Sequence, residues 1–140
     1  AMKDLTLLQP VLVQVALTFV LLFWMAKVRL EAIRAGTVQR GEPGTRPVWP
    51  GRAGTISNAF HNQLEMPVLF YAAVAFSMIA GVTGWEMTAL AWAFAGFRIV
   101  HALIFTTYNY IPHRFMAYLA SNIALIGMWV CLAITVIRVG

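Results

Sequence analysis

Four long apolar runs constrain this chain more than anything else in it: Leu5 to Ala26, Ile56 to Gly81, Glu86 to Tyr108 and His113 to Ile137. A helix needs about 20 mainly apolar residues to cross the hydrocarbon core of a bilayer, and each run is long enough. None alternates polar and apolar residues as a transmembrane strand does. The chain is 61% hydrophobic and only 11% charged, where a soluble domain carries about 25% charged residues. The sequence therefore predicts an all-α integral membrane protein, a four-transmembrane-helix bundle in a single domain over residues 1–140. The helices are expected at about 5–34, 56–81, 86–108 and 113–137, the first continuing past Ala26 as an amphipathic tail to Arg34. That first run lacks a small-residue cleavage site, so it reads as a spanning helix and not as a leader.

The connections differ in kind. Residues 35–55, "AGTVQRGEPGTRPVWPGRAGT", form a loop rich in Gly and Pro, too long for a tight turn. It is expected to fold over a helix end or to stay mobile. "GVTGWE" and "NYIPH" are short and make successive helices antiparallel neighbours. Positive charges set the topology. Lys27, Arg29, Arg34, Arg40, Arg46 and Arg52 surround the first loop, the second loop has none, and Arg114 lies in the third. Loops one and three are therefore expected in the cytoplasm and both termini outside, against weak opposition from Lys3 and Arg138. The net charge of +5 does not point to nucleic acid, because the basic residues are grouped as topology signals and not interleaved with exposed aromatics. The single Cys131 excludes an intramolecular disulfide and a cysteine-rich metal site, and reads as packing.

Small residues recur in the last two helices: Ala89, Ala91, Ala93, Ala95 and Gly96, then Ala117, Ala120, Ser121, Ala124 and Gly127. Such stripes let helices approach closely in lipid. They fit compact packing within the bundle and an oligomer interface equally well.

The polar residues inside the runs carry the functional signal. A charge at membrane depth costs at least ~2.5 kcal/mol on insertion scales, so it normally meets a partner or a cavity. Glu65 lies ~14 Å and Arg98 ~15 Å from the inner ends of their helices, so the two can pair. Asn58, Asn62 and Glu65 share one face of the second helix; Arg98, His101, Phe105 and Tyr108 share one face of the third; Arg114, Tyr118 and Asn122 follow on the fourth. Together they suggest a net basic cavity in the inner half, suited to a small acidic molecule. Alternatives remain at this level: Glu65 with Arg98 as a buried ion pair that fixes helix register, His101 as a core histidine, the asparagines as interhelical bonds. Pro67, two residues after Glu65, is expected to kink the second helix by removing the bond to the Gln63 carbonyl.

Three stretches then look familiar: "KVRLEAIRAG", "NAFHNQLEMPVLFY" with its Asn-x-x-Glu and following Pro, and "FRIVHALIFTTYNYIPHRF" with Arg-x-x-His and a later Arg. Over nearly its whole length the chain resembles the MAPEG family, membrane-associated proteins in eicosanoid and glutathione metabolism, and most of all its short bacterial members. The resemblance implies a homotrimer in the bacterial inner membrane, with glutathione bound between neighbouring subunits in the cytoplasmic half. It implies that Arg29, Asn62, Glu65, Arg98 and His101 hold glutathione, and that Arg114 stabilises its thiolate. The eicosanoid members carry an arginine at the position of Asn58, a tyrosine at Phe105 and a serine at Phe115; Tyr108, one turn beyond Phe105, is placed to substitute for that tyrosine. The reading is a glutathione transferase or peroxidase acting on a lipophilic electrophile or hydroperoxide. The alternative is a non-catalytic membrane protein of the same fold that binds another small anion or a lipid. A transporter or channel fits less well, because the outer half supplies no polar path.

Overall fold

A computed structural model describes residues 5–39 and 41–140. Lys3 and Arg40, counted above among the topology charges, lie outside them. Five helices run α1 Leu8–Ala35, α2 Gly51–Asn62, α3 Met66–Ala80, α4 Trp85–Thr106 and α5 Ile111–Val139. Among the described residues four stretches are long and apolar enough to cross a membrane: α1, the α2–α3 pair over Gly51–Ala80, α4 and α5. Their outer faces are apolar, with Phe23 71% and Ile79 82% exposed. In water such surfaces would drive aggregation; in lipid they are the solvated face.

The second span departs from the expected single kinked helix. The chain leaves helical geometry after Asn62 and resumes at Met66, with Glu65 at φ −95° and ψ −103°. Pro67 therefore sits in the first turn of a new helix, where its missing N–H has no intrahelical partner to lose. The span also starts at Gly51 instead of Ile56. Its first turn packs tightly: a Cβ on Gly54 would collide with the Trp49 carbonyl oxygen, so only glycine lets the backbone approach this closely.

The long loop does fold over a helix end. Gln39 and Val48 exchange backbone hydrogen bonds of 3.1 and 2.8 Å. Arg29 of α1 lies 4.6 Å from the centre of the Trp49 ring, and Arg52 of α2 lies 5.0 Å from that of Trp24. Each cation–aromatic contact contributes about 0.5–1 kcal/mol where exposed. Residues 36–39 and 41–50 thus lie as a strap across one end of the bundle.

The interior is segregated along the bundle axis. Towards the end away from the strap it is mainly apolar, with Phe70 stacked on Phe94 at 4.4 Å among Ala73, Val74, Met87, Leu125 and Met128, although the Ser77 side chain is buried there too. Polar side chains are buried in mid-span and towards the strap: Gln14, Ser57, Gln63, Arg98 and His101. The most extensive helix packing is α4 on α5. Ala91 and Ala95 of α4 and Ala117, Ser121 and Ala124 of α5 are buried, whereas Ala89 and Gly96 face outward. A Cβ on Gly127 would lie 3.3 Å from Leu90. Gly127→Leu is expected to force α4 and α5 apart at a cost of about 1–3 kcal/mol, measured as a lower melting temperature in detergent. An unchanged melting temperature would show that this contact does not set the helix separation.

Candidate functional site

The polar residues gather around the last turn of α2 and the α4–α5 turn. A cavity of about 220 Å³ is lined by Asn62, His101, Phe105, Ile111, Arg114, Phe115 and Tyr118. A second, of about 280 Å³, lies under the strap against Arg29, Arg46, Trp49, Ser57, Asn58 and His61. Thus α2 presents Asn62 to one cavity and Asn58 and His61 to the other.

Arg114 is placed by two contacts. Its Nη1 donates to Asn109 Oδ1 at 2.8 Å, and its guanidinium carbon lies 4.4 Å from the centre of the Phe105 ring. Asn109 has φ +46°, a left-handed conformation that asparagine tolerates better than most residues. That conformation closes the α4–α5 turn, where the Asn109 N–H bonds the Ile104 carbonyl at 2.7 Å. The turn and the orientation of Arg114 are therefore set by the same residue. His101 is 2% exposed and lies against Phe105 and Tyr118, with ring centres 5.7 and 5.8 Å away. Its Nδ1 is buried and has no hydrogen-bond partner among the described residues. Buried polar atoms are normally bonded, so an unmade bond on a cavity wall marks a place for a ligand atom or water.

Arg98 is fully buried and lines neither cavity. Its Nη2 donates to Asn62 Oδ1 at 2.7 Å, to the Asn62 carbonyl at 3.1 Å and to Gln63 Oε1 at 3.3 Å. The expected pairing of Arg98 with Glu65 is not formed. The backbone leaves the helix between the Asn62 and Glu65 positions, so Glu65 no longer continues the face of Asn62. Its carboxylate is exposed on the surface of the protomer within the second span. Arg29 takes part from the strap side, its Nε donating to Ser57 Oγ at 3.0 Å. Tyr108 lies past the end of α4, exposed, with its hydroxyl 3.2 Å from His113 Nδ1. The structure therefore brings Asn62, His101 and Arg114 together, holds Arg98 behind Asn62, sets Arg29 in the neighbouring cavity, and leaves Glu65 and Tyr108 on the outside. Sequence reasoning missed Asn109, Gln63, Gln14 and Ser57. An amide well inside the first apolar run, five residues beyond Gln9, was the available signal for Gln14.

Four apolar spans around a polar cavity near one end of the bundle define an integral membrane protein with a candidate small-molecule site. The sequence matches the model of the MAPEG family over residues 7–134, and the chain belongs to that family. No curated protein matches it significantly.

Proposed function

We propose that the protein is a glutathione-dependent membrane enzyme, a transferase or peroxidase acting on a lipophilic electrophile or hydroperoxide. The MAPEG family includes enzymes of both kinds, and the donor set suits an acidic tripeptide. Asn62, Arg114 and the cations Arg29 and Arg46 are donors for carboxylates and carbonyls. When bound, glutathione supplies a thiol whose anion is the nucleophile or, as two thiols going to a disulfide, the two electrons that reduce a hydroperoxide to alcohol and water. Arg114 favours the anionic sulfur by charge and hydrogen bonding. Phe105, Phe115 and Ile111 exclude water beside it and admit an apolar partner from the bilayer. The strap end faces the cytoplasm of a bacterial inner membrane in this reading, with both termini outside, following the charges of loops one and three.

The observation that carries the proposal is Glu65. An ionised carboxylate on the outer face of a span is costly against lipid. A second copy of the chain removes it from lipid, and the glutathione amine gives it a countercharge. The reading therefore includes a homotrimer with the ligand between neighbours. Titration of the detergent-purified protein with reduced glutathione is expected to raise its melting temperature in a saturable way. Glu65→Gln is expected to lose most of that rise. A folded protein with no rise at millimolar glutathione would instead favour a non-catalytic member whose cavity holds another anion.

A further inference from the structure

We infer that Gln14 and Gln63 are positioning residues: they hold Arg98 so that it fixes the Asn62 amide with its N–H groups toward the cavity, which makes that wall select a hydrogen-bond acceptor. The acceptor is a carboxylate or an amide carbonyl of the bound molecule. The ligand part of this inference rests on reading the cavity as the glutathione site; the positioning part does not.

The direction of every bond in the chain is forced. It starts at the Ala59 carbonyl, which only accepts, so the atom of Gln63 that meets it at 3.1 Å is Nε2. Gln63 Oε1 then points the other way. It accepts from Gln14 Nε2 at 2.8 Å and from Arg98 Nη2 at 3.3 Å. A guanidinium has five N–H donors and no acceptor. The atom of Asn62 that lies 2.7 Å from Arg98 is therefore its oxygen, and the Asn62 NH₂ faces away from Arg98. Asn62 is half-buried on the cavity wall, so this donor is what the cavity receives.

Burial makes the relay rigid. Gln14 and Arg98 are fully buried and Gln63 is 1% exposed, so water does not compete for these bonds. Arg98 also bonds the Asn62 carbonyl at 3.1 Å, where the chain has just left α2 and that oxygen accepts only a long backbone bond, 3.5 Å from the Glu65 N–H. The amide sense of Asn62 thus depends on one guanidinium, which Gln63 holds from behind and Gln14 holds through Gln63.

The test compares three variants in two measurements. Gln14→Leu/Gln63→Leu removes both amides together, which avoids leaving one of them buried and unpaired. Gln63→Glu keeps an acceptor for Arg98. Gln14→Leu alone removes one donor and serves if the double variant does not fold. The first measurement needs no ligand: the side-chain amide resonances of Asn62 in ¹⁵N-asparagine-labelled protein, assigned with Asn62→Ala. The second is glutathione affinity. The double variant is expected to shift or broaden the Asn62 NH₂ pair and to weaken glutathione about tenfold, with its melting temperature little changed. Gln63→Glu, which keeps the acceptor for Arg98 but loses the donor to the Ala59 carbonyl, is expected to lie between wild type and the double variant in both, and Gln14→Leu to give a smaller shift of the same kind as the double variant. Unmoved Asn62 resonances in a folded double variant, or in Gln14→Leu where only that folds, overturn the positioning role. A moved resonance with unchanged glutathione affinity overturns the acceptor selection. If wild type binds no glutathione, the proposed function fails and the resonance arm still decides the relay.

Discussion

Arg98→Ala is expected to be the most destabilising single change in the site, by about 3 kcal/mol. The side chain is wholly enclosed, and truncating a large buried side chain to alanine costs about 2–5 kcal/mol through the cavity it leaves. Its loss also strips a donor from Asn62 Oδ1, the Asn62 carbonyl and Gln63 Oε1. Removing a buried charge works in the opposite direction. Among the described residues the Arg98 Nε and Nη1 are buried without a partner, so part of the desolvation cost of the cation is not repaid. Arg98→Met separates these effects. It fills most of the volume and removes the charge, and apolar replacement of buried ionic groups is often neutral. Arg98→Met, which leaves the same oxygens without their donor, is therefore expected about 1–2 kcal/mol below wild type, and Arg98→Ala lower still, by denaturation in one detergent. Both should disturb Asn62, because neither can donate to its oxygen. An alanine variant as stable as wild type would mean that this guanidinium is not part of the packed interior.

The four spans were legible because their requirement is local. About 20 apolar residues between polar connections are enough to specify a crossing helix, and the short GVTGWE and NYIPH segments and the Gly- and Pro-rich strap mark the joints. The polar half of the bundle was legible for the same reason: an amide, carboxylate or guanidinium stands out inside an apolar run. What the one-dimensional pattern could not supply was the path of the backbone between Asn62 and Met66. Pro67 reads equally well as a kink within one helix and as the first turn of another. The choice decides whether Glu65 follows Asn62 on one face or turns away, and the structure takes the second course. The Glu65–Arg98 pair expected from equal depth was lost there. Depth along a helix follows from counting residues, but azimuth does not once the helix is interrupted. Asn109 was hidden for a related reason: its left-handed φ answers to the closure of one particular turn. The placement of Tyr108 was misjudged by continuing the α4 face beyond the helix, which ends at Thr106.

Arg114→Ala is expected to lower turnover by about two orders of magnitude while weakening glutathione binding much less, by under about tenfold. The reason is where its charge lies. Arg114 projects into the cavity that Asn62 and His101 share, anchored by Asn109 and lying over Phe105. The tripeptide's carboxylates and amides have other donors in Arg29, Arg46 and Asn62, so its binding does not depend on one cation. The thiolate has fewer cationic candidates, because Arg98 lines neither cavity and Arg29 and Arg46 line the other one. Stabilising an anion that is reactive only when formed acts on the chemical step more than on ground-state affinity. Arg114→Lys should recover part of the rate, since charge is kept while the planar fork and its fit to Asn109 and Phe105 are lost. Asn109→Ala should mimic a mild form of the same defect by freeing the guanidinium. The check is kcat with a lipophilic electrophile beside a separate binding isotherm for each variant. Equal turnover in Arg114→Ala would remove Arg114 from the chemistry, and an equal fall in affinity and turnover would make it a binding residue only.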